Sequence, residues 1–159
     1  MLKRHKTKSG LSAVSYRFAV VCADYNPEFT RPLLAAAERE LLAAGCRAKN
    51  ILVARVPGSF DIPVVVQRLA ATGKFDAIIA LGVVLQGRTS HARHITQATA
   101  FHLQKIAIDT GVPVINQVLS PSSATDARKR TSGKNFNRGV EAARAAIRMA
   151  SLMRKWGES

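Results

Sequence analysis

The side chains best suited to chemistry stand together in the segment QGRTSHARH, residues 86–94, directly after an apolar run. His91 can both accept and donate a proton near neutral pH. Thr89 and Ser90 carry hydroxyl groups that, together with the backbone N–H groups of a helix start, can bind an anion, and Arg88 adds positive charge. Three kinds of site fit such a segment: a metal site, a nucleic-acid-binding patch, or an acid/base centre beside an anion.

The metal interpretation is disfavoured. His91 and His94 are three residues apart and can share one helix face, but zinc takes three or four ligands and no Cys, Asp or Glu stands nearby in the sequence. Arg88 and Arg93 would also repel a cation. We therefore predict no metal ligand here. The sequence also lacks the glycine-rich motifs GxGxxG and GxxxxGK[ST], so it does not predict a nucleotide phosphate loop.

The charge of the chain leaves the nucleic-acid interpretation open. The formal net charge is +14, and the excess of Lys and Arg is concentrated in residues 1–10 and 128–155. Such a surface attracts phosphate, on nucleic acid or on a small substrate. The chain has nine aromatic residues, and none clusters with the lysines as a base-stacking platform requires. Non-specific nucleic-acid binding is therefore an alternative that the composition does not favour.

Length and composition predict one globular domain. The 159 residues include no run of 18 apolar residues, and the basic residues 1–10 lead into no hydrophobic signal core. Cys22 and Cys46 show no CxxC spacing, which favours reduced, packed thiols. We predict a cytoplasmic protein with a flexible basic tail over residues 1–15 and a single domain over residues 16–159.

Apolar runs alternate with helical patterns four times. The predicted strands are residues 16–23, 50–56, 76–85 and 112–119; the predicted helices are residues 28–44, a short segment ending near 72, residues 90–110 and about 137–155. Because the strands are continuously apolar, we expect them to be covered on both faces, as in a three-layer α/β/α sandwich with a four-stranded parallel sheet. Ligands of such sheets bind at the carboxyl ends of the strands.

Other segments at that predicted edge have matching character. VPGSFDIP offers the ring of Phe60 and the carboxylate of Asp61, and Tyr25 offers a second aromatic surface, which together suit a flat heterocycle carrying hydroxyl groups. ARKRTSGKNFNRG places Arg130 and Arg138 around a glycine, a density of positive charge that suits a phosphate. Each segment alone also fits an ordinary structural role, as core or as solvated loop.

Taken together, these segments resemble the lumazine synthase family. The resemblance rests on PGSFDIP, on GVVLQGRTSHARH after a strand, on GVPVINQVL, and on R-x7-RG before the last helix, and it extends from about residue 16 to residue 155. It implies a flavodoxin-like fold. It also implies an enzyme of riboflavin biosynthesis that condenses 5-amino-6-ribitylaminouracil with 3,4-dihydroxy-2-butanone 4-phosphate to 6,7-dimethyl-8-ribityllumazine, without a cofactor.

The resemblance assigns a role to each candidate residue. The pyrimidine substrate would contact Tyr25, Ser59, Phe60, Asp61, Val83, Val84, Leu85 and Asn116, with Ser59 and Asp61 near its ribityl hydroxyls. The butanone phosphate would contact Arg88, Thr89 and Arg130, with Arg138 as further support for the phosphate. His91 would transfer protons.

The same resemblance implies a homo-oligomer. Asn116 and Arg130 are expected from the adjacent subunit of a pentamer, and pentamers of the family can further form decamers or sixty-subunit icosahedral shells. The N-terminal segment is a candidate for pairing with a neighbouring subunit. The alternative function is a non-catalytic shell of the same fold that binds flavin or holds nucleic acid.

This chain also departs from the family pattern. Many members carry an acidic residue in place of Arg88 and an aromatic-acidic pair in place of Ala92-Arg93. Asn116 stands where phenylalanine is common, and Arg138 where lysine is frequent. These departures concern substrate geometry more than the class of reaction.

Overall fold

A computed structural model describes residues 10–157, and its centre is a parallel sheet of four strands. The strands are β1 (Phe18–Ala23), β2 (Ile51–Val56), β3 (Ala77–Val83) and β4 (Val114–Leu119), in the spatial order β2-β1-β3-β4. The helices are α1 (Pro27–Ala43), α2 (Ile62–Ala70), α3 (His91–Thr110), α4 (Ala124–Ser132) and α5 (Arg138–Gly157). Single turns of 3₁₀ helix span Ala48–Asn50 and Ser59–Asp61.

Two hydrophobic clusters lie on opposite faces of the sheet, because successive side chains of a strand alternate between the faces. Phe18 and Val20 of β1 pack with residues of α1, α4 and α5 in one cluster. Ala19 and Val21 pack with residues of α2 and α3 in the other. This arrangement confirms the predicted three-layer α/β/α sandwich, which is flavodoxin-like. None of the helices within residues 10–157 is both long enough and apolar enough to cross a membrane.

The expectation that all four strands are covered on both faces is correct only for the central pair. Every residue of β1 and β3 is buried. In the outer strands β2 and β4 most residues are partly or fully exposed, and the consecutive residues Leu52 and Val53 expose apolar side chains on both faces of the sheet. An edge strand pairs on one side only, and in this chain the helices cover chiefly the middle of the sheet.

Helix α4 was missed by the sequence prediction. Its sequence ATDARKRTS contributes only Ala127 and Thr131 to the interior, so it lacks the apolar repeat by which helices are recognised. A capping signal was present nevertheless. Ser123 is followed three residues later by Asp126, and the Ser123 hydroxyl accepts a hydrogen bond from the Asp126 backbone N–H over 3.1 Å.

The described part of the predicted tail, residues 10–15, packs on the domain. Ala13 is fully buried, and its N–H donates to the carbonyl of Ala44 over 2.8 Å. From α5, the guanidinium of Arg154 lies 4.1 Å from the centre of the Tyr16 ring and donates to the hydroxyl of Ser15 over 2.7 Å. The folded unit therefore begins before residue 16, and the rest of the predicted tail lies outside the described residues.

Candidate active site

The loops that follow β1 and β2 are joined through their backbones. The N–H of Asp24 donates to the carbonyl of Val56 over 2.7 Å, and the N–H of Tyr25 donates to that of Pro57 over 3.1 Å. An ion pair of 2.6 Å between Asp24 and Arg55 adds a side-chain connection. Tyr25, which is 72% exposed, is thus held beside the start of the loop that carries Phe60.

Asn26 joins the first loop to the centre of the sheet. Its side-chain amide donates to the carbonyl of Val83, the last residue of β3, over 2.8 Å. Its backbone has a φ of 56° and a ψ of 57°, in the left-handed region that asparagine adopts more readily than most residues. No role was predicted for Asn26 from the sequence; the proline that follows it, at the first position of α1, is the local signal that marks Asn26 as the N-cap position.

The turn Ser59–Asp61 presents an aromatic ring and a carboxylate to solvent. One carboxylate oxygen of Asp61 accepts the N–H of Gly58 over 2.9 Å, which stabilises the turn, and Phe60 is 66% exposed. Ser59 faces the other way and is buried against Gly82 of β3, where a Cβ would overlap the Ser59 hydroxyl. Its carbonyl accepts a hydrogen bond from Thr99 of α3 over 3.4 Å.

The segment after β3 carries the candidate catalytic residue. The N–H of Val84 donates to Leu119, and the N–H and side chain of Gln86 donate to Pro121 and Ser120, at 2.8 to 3.1 Å. Val83 is buried, and Val84 and Leu85 are half-buried. Beyond these anchors, Arg88 and Thr89 are exposed, and His91 is the first residue of α3, where the orphan N–H groups and the helix dipole attract anions.

Most of the predicted site residues therefore meet at the carboxyl edge of the sheet. They are Tyr25, Ser59, Phe60, Asp61, Val83, Val84, Leu85, Arg88, Thr89 and His91, which follow or end β1, β2 and β3. Among residues 10–157, no three His, Cys, Asp or Glu side chains are grouped to hold a metal ion.

Asn116, Arg130 and Arg138 are located elsewhere in the chain. Asn116 lies inside β4 opposite Ala80, on an exposed edge, and its side-chain oxygen accepts the N–H of Val118 over 3.0 Å. Arg130 belongs to α4, which packs on the face of the sheet opposite α3. Arg138 begins α5 on the same face as Arg130.

Arg130 and Arg138 line a basic groove of about 500 Å³. The groove is formed by Asp126, Lys129, Arg130, Gly133, Lys134, Asn135, Phe136 and Arg138. A side chain at Gly133 would overlap the carbonyls of Lys129 and Phe136, so glycine allows the chain to fold back over the end of α4. The lining carries four cations and one carboxylate, so its net positive charge favours an anion.

Carboxylates hold both arginines of the groove. The Nε of Arg130 donates to Asp126 over 2.9 Å, and this hydrogen bond holds the pKa of the Asp126 carboxyl below its usual range. Arg138 donates through Nη1 to Glu141 over 2.7 Å, and its guanidinium lies 4.7 Å from the centre of the Phe136 ring. Asp126 and Arg130 are four residues apart in the sequence. Residues at this spacing face each other only on a helix, so the pair could not be predicted without α4.

The fold and the sheet edge together define an α/β protein with a candidate small-molecule site at the carboxyl ends of its parallel strands. The family model for 6,7-dimethyl-8-ribityllumazine synthase matches residues 15–154. The chain therefore belongs to the 6,7-dimethyl-8-ribityllumazine synthase family, which confirms the resemblance seen in its motifs.

Individual relatives agree with the family match. The chain is 41% identical over 139 residues to the 6,7-dimethyl-8-ribityllumazine synthase of Xylella fastidiosa (strain 9a5c), covering 87% of this chain and 90% of that protein. It is 40% identical over 139 residues to the enzyme of that name from Stenotrophomonas maltophilia (strain R551-3), with the same coverage. A third relative of that name, from Xanthomonas oryzae pv. oryzae (strain PXO99A), is 40% identical over 137 residues, covering 86% of this chain and 89% of that protein.

Proposed function

We propose that the chain condenses 5-amino-6-ribitylaminouracil with 3,4-dihydroxy-2-butanone 4-phosphate to form 6,7-dimethyl-8-ribityllumazine, with release of phosphate and water, in riboflavin biosynthesis. The observation that carries this proposal, beside family membership, is the placement of two exposed aromatic rings, a carboxylate and an imidazole along one sheet edge. The family match favours this enzyme over the alternative of a non-catalytic shell.

The pyrimidine would bind along the exposed rings of Tyr25 and Phe60, which offer flat apolar surfaces for a heterocycle. Asp61 keeps acceptor capacity for ribityl hydroxyls, because an ionised carboxylate accepts more hydrogen bonds than the one from Gly58. Ser59 is buried with its side chain turned inward, so we assign its contact with the ligand to its backbone.

His91 would move the protons of the reaction. The amine attacks the ketone and water is lost to give an imine, phosphate then leaves by elimination, and the resulting enol tautomerises before the ring closes. Each step transfers protons at adjacent atoms, which suits one imidazole at the mouth of the site. Holding both substrates in contact would supply much of the remaining acceleration.

The phosphate would be bound by Arg130 of an adjacent copy together with Arg88 and Thr89. In a single chain Arg130 and His91 belong to helices on opposite faces of the sheet, which supports a site completed between two chains. Asn116 lies on an exposed strand edge, where a neighbour's ligand could reach it. Arg138, in the same groove as Arg130, would support the phosphate.

Oligomeric assembly accords with the family and with the surface of the chain. Val64 of α2 and Phe101 and Ile108 of α3 expose large apolar side chains, which are typical of interfaces. We propose a pentamer, which sedimentation of the purified protein tests and which a monomer in solution would contradict. We also propose a cytoplasmic location, supported by two buried free thiols, Cys22 and Cys46.

The decisive experiment supplies both substrates to the purified protein and follows lumazine absorbance and phosphate release. Arg130→Ala is expected to lower kcat/KM by about a hundredfold or more, because a charged hydrogen bond to phosphate is lost. His91→Ala is expected to lower kcat by roughly tenfold to a hundredfold, at or below the usual range for general acid/base groups, since water can relay protons.

A matched control separates these effects from general loss of positive charge. Arg148 is exposed on α5 and lies outside the groove, so Arg148→Ala should retain full activity. Failure of the folded wild-type protein to form lumazine from both substrates would refute the proposal.

A further inference from the structure

We infer that Asp126 is a positioning residue that orients Arg130 for phosphate recognition, an inference that rests on the proposed function. Asp126 accepts a hydrogen bond from Nε of Arg130 over 2.9 Å, and the two side chains are 31% and 37% exposed. Both side chains are therefore partly shielded from solvent, and the two residues lie one helical turn apart on α4.

The geometry of the pair leaves the two terminal nitrogens of the Arg130 guanidinium available to a ligand. Arginine binds a phosphate through a fork of two parallel N–H groups. With Nε engaged by Asp126, the terminal nitrogens Nη1 and Nη2 form such a fork, and within residues 10–157 no hydrogen-bond partner is found for them. Arg130 lines the groove beside Lys129, Lys134 and Arg138, so the fork is part of its cationic wall.

Charge alone predicts the opposite effect for this carboxylate. Asp126 is the acidic residue in the groove lining, and a simple sum of charges makes it an obstacle to an anion. Orientation predicts a benefit, because an untethered arginine samples several rotamers, and affinity falls by the fraction of time spent in the competent one. Removal of Asp126 should therefore raise the phosphate affinity if charge alone matters and lower it if orientation matters.

Two neutral replacements separate charge from orientation. Asp126→Asn removes the charge and keeps an oxygen that can accept from Nε, whereas Asp126→Ala removes both. We expect Asp126→Asn to bind inorganic phosphate within about threefold of the wild-type affinity and Asp126→Ala to bind it about five- to tenfold more weakly than Asp126→Asn. Steady-state kinetics should show the same loss in KM for the butanone phosphate, with kcat and the KM for the pyrimidine changed less than about twofold.

The control is a second ion pair of the same spacing. Lys105 and Asp109 of α3 form an i,i+4 pair of 2.6 Å outside the groove, so Asp109→Ala tests the effect of breaking a helical ion pair by itself. It should leave phosphate affinity and both KM values unchanged. If Asp126→Ala does not fold, Asp126→Ser replaces it, because the serine hydroxyl is one bond shorter and sits farther from Nε.

Titration calorimetry with inorganic phosphate on the assembled protein decides the matter. Asp126→Ala or Asp126→Ser binding phosphate as tightly as Asp126→Asn, or more tightly, overturns the positioning role even if the wild-type enzyme is fully active. Absence of lumazine formation by the wild type instead refutes the proposed function. In that case the order of phosphate affinities among the variants still tests whether Asp126 positions Arg130. A wild-type protein that binds no phosphate overturns both.

Discussion

The side-chain amide of Asn26 donates a hydrogen bond to the backbone carbonyl of Val83 over 2.8 Å, across 57 positions of the sequence. This bond connects the last residue of the loop between β1 and α1 with the last residue of β3. Because Val83 belongs to the segment that leads into Arg88 and His91, the bond ties the aromatic side of the candidate site to its basic side. Asn26 is also the N-cap residue of α1, in a left-handed backbone conformation: its carbonyl accepts the N–H groups of Phe29 and Thr30, while its side chain makes no capping hydrogen bond.

Two substitutions at Asn26 separate its hydrogen bond from its backbone conformation. Asn26→Gly removes the bond and keeps easy access to positive φ, and it should lower the free energy of unfolding by about 1 kcal/mol. Asn26→Ala adds the cost of a left-handed alanine, so its loss should be about 1 kcal/mol larger. Urea unfolding at fixed protein concentration measures both values.

The same pair of variants tests the site. If the bond positions Tyr25, both variants should raise the KM for the pyrimidine by a similar factor, about three- to tenfold by analogy with the loss of one hydrogen bond. A rise in KM that follows the backbone strain, present in Asn26→Ala and absent in Asn26→Gly, would contradict a role for the side-chain bond.

The sequence predicts the sheet well because its central strands are unambiguous. FAVVCA and AIIALGV are continuously apolar runs of six and seven residues, which favour strands covered on both faces, and every residue of both strands is buried. The outer strands have similar composition, but their exposure depends on which helices lie over them, and no local pattern encodes that. Helix α4 was missed because its burial is limited to two small residues.

The position of a candidate site residue in the fold was predictable where that residue follows a strand, and not where its position depends on tertiary contacts. Phe60 and His91 follow β2 and β3 in sequence, so a parallel sheet brings them to one edge. The contact of Asn26 with Val83 joins residues far apart in the chain. The location of Arg130 on the opposite face from α3 required the path of α4, which the sequence prediction lacked.

Gly82 is expected to control the position of the Phe60 turn. A methyl group at this buried position would overlap the hydroxyl of Ser59, which is itself buried and has little room to move. Gly82→Ala should therefore displace the segment that carries Phe60 and Asp61. We expect a KM for the pyrimidine raised by about tenfold and a free energy of unfolding lowered by about 1–3 kcal/mol, the usual range for overpacking.

A second substitution tests whether the collision with Ser59 is the cause. Ser59→Ala removes the overlapping hydroxyl, so the double variant Gly82→Ala/Ser59→Ala should recover most of the lost affinity and stability, while Ser59→Ala alone should change the KM by less than about threefold. Additive losses in this double-mutant cycle would show that Gly82 acts through another neighbour.

The free energy of unfolding is expected to fall with rising pH in the alkaline range because of Cys22. The thiol is fully buried in β1, and burial raises its pKa from an ordinary value of 9.0 to about 11. Between these values the unfolded chain releases a proton that the folded chain retains, so unfolding becomes easier as pH rises. The contribution is fully present below about pH 9, falls through this interval, and is on the order of 3 kcal/mol at most.

Unfolding in urea at a series of pH values, compared between wild type and Cys22→Ala, measures this contribution. The variant should be less stable at neutral pH because a buried sulfur is lost, and the difference between the two proteins should shrink as pH rises from about 9 to 11. Cys46→Ala serves as the thiol control, since it leaves Cys22 in place and should retain the Cys22 contribution. Parallel stability curves for wild type and Cys22→Ala across this interval would show that the buried thiol does not titrate differently in the two states.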